Sequence, residues 1–150
     1  MATFISHSPE ETAALGAQWG REARAGWLIG LSGDLGAGKT QLVKGIARGL
    51  GITGRIQSPT FALVNEYGEG RLPFAHLDLY RLETPEQIIS AGLEEYFNKP
   101  AGVAVVEWCE RWPKFSPPFA RRHSGPPIRL VRIEQTAEHE RRITYEDSGD

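Results

Sequence analysis

The residues best suited to chemistry in this chain are Gly33, Asp34, Leu35, Gly36, Ala37, Gly38, Lys39 and Thr40, which satisfy the pattern G-x-x-x-x-G-K-[ST]. Glycines at these positions let the backbone wrap closely around an anion without Cβ clashes. Successive N–H groups then point inward as an anion nest, and a helix starting near Gly38 adds its positive dipole end. Lys39 supplies a point charge for β- and γ-phosphates, and the Thr40 hydroxyl can ligate Mg²⁺. A glycine turn that merely caps a helix has no need of Lys-Thr after its last glycine.

A phosphate loop that holds Mg²⁺ wants a carboxylate at the end of a neighbouring strand. Two fit: Asp78 ends Phe74-Ala75-His76-Leu77, and Glu107 ends Val103-Ala104-Val105-Val106. Strands of an open α/β sheet deliver such side chains to the crevice at their carboxyl ends. His76 lies two residues from Asp78 and shares its face of a strand, so it is expected either to donate to that carboxylate or to pack as a structural histidine. Thr60, in Ser58-Pro59-Thr60 just before a strand, sits in sequence like a switch residue that senses a γ-phosphate. The same tripeptide also serves as ordinary turn chemistry. Trp108 either plugs the core or covers the nucleotide site. Asn98-Lys99-Pro100-Ala101 lacks the final Asp of the guanine-reading N-K-x-D pattern, which leaves ATP as the expected nucleotide.

Elements of the right kind surround these residues. Trp27-Leu28-Ile29-Gly30-Leu31-Ser32 reads as a buried strand before the loop. Residues 40–50 read as a helix with Leu42, Val43, Ile46, Ala47 and Leu50 on one face, ended by Gly51. An earlier helix opens at Ser8-Pro9-Glu10-Glu11, a capping box with Pro at the first helical position, and is expected to run to about Arg24 and end at Gly26. Residues 54–57 form a short strand or loop. Residues 61–67 and 72–77 form a hairpin around Gly68-Glu69-Gly70, with Pro73 placing the second strand at an edge or at its own start. Thr84-Pro85-Glu86-Gln87 caps another helix, which Gly92 breaks before Leu93. The run Val103–Val106 is apolar throughout, as a central parallel strand requires. Residues 113–127 are proline-rich and loop-like, with Arg121-Arg122-His123 among them. Residues 128–133 and 141–145 alternate as a closing hairpin. The implied fold is α/β: a P-loop NTPase-type, mostly parallel sheet flanked by helices, with antiparallel hairpins at the margins, in one domain over residues 1–150.

Bulk properties agree with that. The 150 residues carry 40% hydrophobic and 24% charged side chains and a net charge of -2, which announces neither nucleic acid nor membrane. Eight Lys/Arg against three Glu in residues 111–145 make a basic stretch. It reads as a solvated face, or as a contact for RNA, a phosphate or an acidic partner. The single cysteine, Cys109, forms no internal disulfide and is expected to be a buried, inert thiol. No apolar run reaches transmembrane length and no signal peptide is evident, so the expected location is cytoplasmic, with no membrane partner.

Taken in order, the phosphate loop, Ser58-Pro59-Thr60-Phe61 with Asn65-Glu66-Tyr67, His76-Leu77-Asp78-Leu79-Tyr80-Arg81-Leu82 and Glu107-Trp108 resemble the TsaE family. Those are P-loop ATPases of bacterial tRNA threonylcarbamoyladenosine synthesis. The resemblance implies binding of ATP and Mg²⁺, weak intrinsic ATPase activity, and work with TsaB and TsaD. That pair transfers the threonylcarbamoyl group to adenosine 37 of tRNA, and tRNA would be met through the complex. Carried onto this chain, Thr40 and Glu107 match the Mg²⁺ positions, and Lys39 with the loop amides matches the phosphate site. Asp78 and Thr60 match polar residues around the γ-phosphate. The family packs its adenine between the N-terminal segment and the C-terminal hairpin. Residues 113–127 are longer and richer in Pro and Arg than the family pattern. Two rivals remain: a small-molecule or nucleoside kinase, with Arg121-Arg122 in a basic lid, and a non-catalytic module that holds ATP as a structural ligand.

Overall fold

The computed structural model describes residues 2–33, 38–59, 62–98, 100–112 and 128–148. Asp34, Leu35, Gly36 and Ala37 of the loop, Thr60, Lys99 and the proline-rich residues 113–127, including Arg121, Arg122 and His123, lie outside the described residues.

The chain begins with β1 (Ala2–Ser6), an element for which the sequence carries almost no signal. Only its last residue, Ser6, is buried, so no alternation of apolar residues announces it. Backbone pairing alone brings it against the far end of the chain. There follow α1 (Pro9–Glu22), β2 (Trp27–Gly33), α2 (Lys39–Gly49), β3 (Val64–Tyr67), β4 (Phe74–Asp78), α3 (Pro85–Ser90), α4 (Glu94–Asn98), β5 (Val103–Glu107), β6 (Ile128–Ala137) and β7 (Glu140–Ser148). One seven-stranded sheet holds them in the order β1-β7-β6-β2-β5-β4-β3. Strands β6, β2, β5 and β4 form a parallel block, and antiparallel partners flank it, β3 on one side and β7 with β1 on the other.

Alternation along the central strands supplies two apolar faces. Ile29 and Leu31 of β2, with Val103 and Val105 of β5, meet Leu15, Trp19, Leu42, Val43 and Ile46 from α1 and α2. Leu28 of β2, with Ala104 and Val106 of β5, meets Ile88, Leu93, Phe97, Cys109 and Trp112 on the opposite side. Burial on both faces is why β5 reads as an unbroken apolar run.

Helices α1 and α2 lie backbone against backbone. A Cβ on Gly16 would stand 2.4 Å from the Leu42 carbonyl oxygen, and one on Gly20 2.3 Å from that of Ile46. From the other side, a Cβ on Gly45 would stand 2.1 Å from the Ala13 oxygen and one on Gly49 2.2 Å from that of Ala17. The contacts advance together along both helices, so the two run parallel with their N-termini at the same end. Arg71 ties the opposite ends: its backbone N–H donates to Leu50 O (2.6 Å), and its guanidinium to the carbonyls of Gly20 (2.7 Å) and Ala23 (2.9 Å). A cation at a helix C-terminus also complements the dipole.

Several local expectations change. Helix α1 stops at Glu22 with Ala23 as its C-cap, three residues short of Gly26. The Ser8 hydroxyl accepts from Glu11 N as expected, but the Glu11 carboxylate reaches past Ser8 to accept from His7 N (2.8 Å). Residues 54–57 are loop, one of the two forms expected of them. Strand β3 starts only at Val64, because Leu63 takes a left-handed φ of 70° and its N–H turns back to Pro59 O. Pro73 lies just before β4, an internal strand. Its carbonyl still serves the sheet, accepting from Val103 N (2.8 Å).

Candidate functional site

Strand order and register assemble the site. Glu107 stands opposite Leu31 of β2 on one side and Asp78 of β4 on the other. Both carboxylates therefore emerge at the carboxyl ends of parallel strands beside the strand that feeds α2. Gly33, with φ 139°, ends that strand where a Cβ would come within 2.3 Å of Ile133 O, so only glycine fits there. Gly38 caps α2 in a left-handed conformation, φ 104°.

Lys39 is only 5% exposed although charged. Its Nζ donates to Gly33 O (2.8 Å) and lies 4.4 Å from the centroid of the Trp108 ring. Trp108 reaches that position because it follows Glu107 with a left-handed backbone, φ 58°, which turns the chain into a short 3-10 segment, Cys109–Arg111. The ring lines the cleft, packs at 5.1 Å from that of Tyr80 and also rests against the apolar cluster around Leu28 and Val106, so Trp108 lies between core and cleft. Cys109 behind it is buried, and loss of solvation pushes its thiol well above the usual range, as an inert residue requires.

The two carboxylates are held differently. Asp78 Oδ1 accepts from Tyr80 N (2.9 Å). Burial raises the Asp78 pKa above its ordinary value, and the neighbouring Glu107 adds to that. The Tyr80 N–H, His76 and Lys39 oppose it. Glu107 Oε2 meets His76 Nε2 at 2.5 Å, with both side chains buried. The histidine thus serves Glu107 rather than Asp78. Its position two residues from Asp78 puts it on the right face, but the twist and stagger between β4 and β5 decide which carboxylate it meets.

These groups line a cleft of about 590 Å³. Gly38, Lys39, Thr40, Ser58, Asp78, Glu107 and Trp108 form one part of its wall. His7, Ser8, Pro9 and Thr12 at the start of α1, and Glu138, His139 and Arg141 at the β6–β7 turn, form another part. The family resemblance points to both of these last segments, through Glu10-Glu11-Thr12 and Arg141-Arg142-Ile143, without naming a base-contacting residue. The Ser8 cap was a local signal: it marks a second helix N-terminus, and the parallel packing of α1 on α2 points both positive ends into the same cleft. Arg141 belongs to this wall, and its Nη1 donates to the carbonyl of Glu140 (3.2 Å). Among the described residues of the basic stretch, Arg129 pairs with Asp147 and Arg142 with Glu134.

Among the described residues no three His, Cys, Asp or Glu side chains converge to cage a metal. A magnesium ion does not ask for such a cage, since it is commonly held by one or two protein oxygens together with phosphates and water. Thr40 and Glu107 at the cleft wall fit that demand, and the crowding of two buried carboxylates is the kind of charge a divalent cation offsets. No helix among the described residues is long and apolar enough to cross a membrane.

A parallel sheet whose strand β2 leads through a glycine-rich segment into α2, with carboxylates at the adjoining strand ends, defines a P-loop fold. Residues 6–143 match the family model for threonylcarbamoyl adenosine biosynthesis protein TsaE. The chain belongs to this family, which takes part in the biosynthesis of tRNA threonylcarbamoyladenosine. The tRNA threonylcarbamoyladenosine biosynthesis protein TsaE of Nostoc sp. is 52% identical over 116 residues, covering 75% of this chain and 71% of that protein. Its counterpart in Bacillus subtilis is 47% identical over 102 residues, covering 68% and 63%. The fold is similar to the crystal structure of Bacillus subtilis YdiB, with a TM-score of 0.74 at 35% identity over 99% of this chain and 86% of that one.

Proposed function

We propose that this chain binds ATP with Mg²⁺ and hydrolyses it in support of threonylcarbamoyl modification of adenosine 37 in tRNA, acting with TsaB and TsaD. The observation that carries the ATP reading is the convergence of Lys39, Thr40, Asp78 and Glu107 at the N-terminus of α2, in a cleft of a size that suits a nucleotide. The partners rest on family membership.

In this reading the phosphates lie over the N-terminus of α2, and Lys39 leaves the Gly33 carbonyl for them. Trp108 excludes water from one side of the lysine. Thr40 and Glu107 would hold the magnesium ion, which when bound supplies charge to the β- and γ-phosphate oxygens. Asp78, with one oxygen pinned and its proton affinity raised, takes the proton of the water that attacks the γ-phosphate in line. Thr60 is assigned to the γ-phosphate by sequence alone. The adenine lies between the start of α1 and the β6–β7 turn.

ATP turnover measured with the chain alone, then with TsaB and TsaD, then with tRNA, tests the proposal. Slow turnover stimulated by the pair is expected, with modification abolished by Lys39→Ala and by Glu107→Ala. Modification retained by either folded variant refutes it. A phosphorylated nucleoside formed from ATP in place of stimulated hydrolysis establishes the kinase instead.

A further inference from the structure

We propose that His76 is the positioning residue for the Glu107 carboxylate, fixing Oε2 through Nε2–H so that Oε1 is presented for a metal–nucleotide complex. This rests on the function proposed above. The two residues stand 31 positions apart, yet neighbouring parallel strands place them on one face, His76 beside Val105 and Glu107 beside Asp78. His76 is 1% exposed and Glu107 5%.

The direction of the bond follows from the other ring nitrogen. His76 Nδ1 is buried with no hydrogen-bond partner among the described residues. A proton there would be an orphaned donor, which costs more than a bare lone pair. This assigns the imidazole proton to Nε2, which donates to Glu107 Oε2. Each carboxylate of the site is then held by one oxygen: Asp78 by the backbone N–H of Tyr80, Glu107 by a side chain from the next strand. Glutamate has three rotatable bonds, so a clamp of this kind removes rotamers that would face away from a ligand.

The test compares the full wild-type chain with His76→Phe, which keeps a ring without a donor, and His76→Gln, whose amide can donate from a similar position. Affinity for a fluorescent ADP analogue is measured with magnesium and with EDTA. In magnesium, His76→Phe is expected to bind ~10-fold or more weakly, the usual effect of losing such a partner. His76→Gln is expected to recover most of that loss, and all three proteins to bind alike in EDTA. Equal affinities in magnesium overturn the inference, as does a loss that is the same in EDTA or not rescued by glutamine. A wild-type chain that binds the nucleotide without any magnesium response overturns the proposed metal site itself, and this inference with it. Should His76→Phe not fold, ¹⁵N spectra of the wild-type imidazole decide. A protonated Nε2 and bare Nδ1 whose Nε2 signal moves with magnesium–nucleotide, and not with nucleotide alone, support the clamp. The opposite tautomer, or an unmoved signal, overturns it.

Discussion

Replacing Gly45 by alanine sets two effects of opposite sign against each other. Gly45 lies inside α2, where alanine is favoured by about 1 kcal/mol on helix propensity. Against that, the new Cβ would sit 2.1 Å from Ala13 O, where real Cβ atoms essentially never come closer than 3.0 Å. The obstacle is backbone on a second helix, so no side chain can rotate away. Relief requires α1 to move off α2 by most of an ångström, and gaps of that size forfeit about a quarter to a half of each affected dispersion contact. Overpacking typically costs about 1–3 kcal/mol. With backbone as the obstacle the upper end applies, leaving a net loss of about 2 kcal/mol once propensity is subtracted. For a domain of this size that lowers the melting temperature by about 4–8 °C. Thermal unfolding of Gly45→Ala checks the figure. Gly68→Ala is the control, because among the described residues no atom beyond its chain neighbours lies within 4 Å of its Cβ position. The movement would also separate the cleft wall at Ser8 and Thr12 from that at Lys39, so nucleotide affinity should fall with stability. A Gly45→Ala protein as stable as the wild type, or more stable, would refute the claim that the glycines bring the two helix N-termini together.

Two further substitutions test the electrostatics. Burial raises Asp78 above its ordinary 3.8, so the folded state holds this proton more tightly than the unfolded one. Stability from this group is present in acid and declines as pH rises through the raised value. Asp78→Asn, which keeps an acceptor for Tyr80 N–H, should raise the urea midpoint of the nucleotide-free protein at neutral pH and slow ATP turnover. The gain in midpoint should fade towards about pH 3, and an unchanged or lower midpoint at neutral pH contradicts the burial argument. Arg71→Met removes the guanidinium from the C-terminal carbonyls of α1 and should cost about 1–2 kcal/mol in urea unfolding, with a smaller effect in high salt. No measurable loss would show that water replaces it fully.

What the sequence disclosed depends on how local each signal is. The helix after the phosphate loop was legible because its apolar residues repeat at helical spacing, and all of them are buried. Strand β5 was legible because both of its faces are covered. Strand β1 was not, since it is held mainly by backbone pairing with β7 and buries little of its own. The expected strand before Val64 was shortened by Leu63, whose left-handed backbone no propensity of leucine suggests.

By itself the sequence determined the Gly33–Thr40 motif, the two strand-end carboxylates Asp78 and Glu107 and the family to which the chain belongs, because these are carried by residue types at short spacing. Only the tertiary structure decided that His76 serves Glu107, that Trp108 lies over Lys39, and that α1 packs closely enough on α2 to bring both helix N-termini to one cleft. Those choices depend on strand order, on the diagonal offset between paired strands and on how closely two helices approach. Each is a relation between distant segments, settled by packing and hydrogen bonding across the sheet rather than by any residue's own preference.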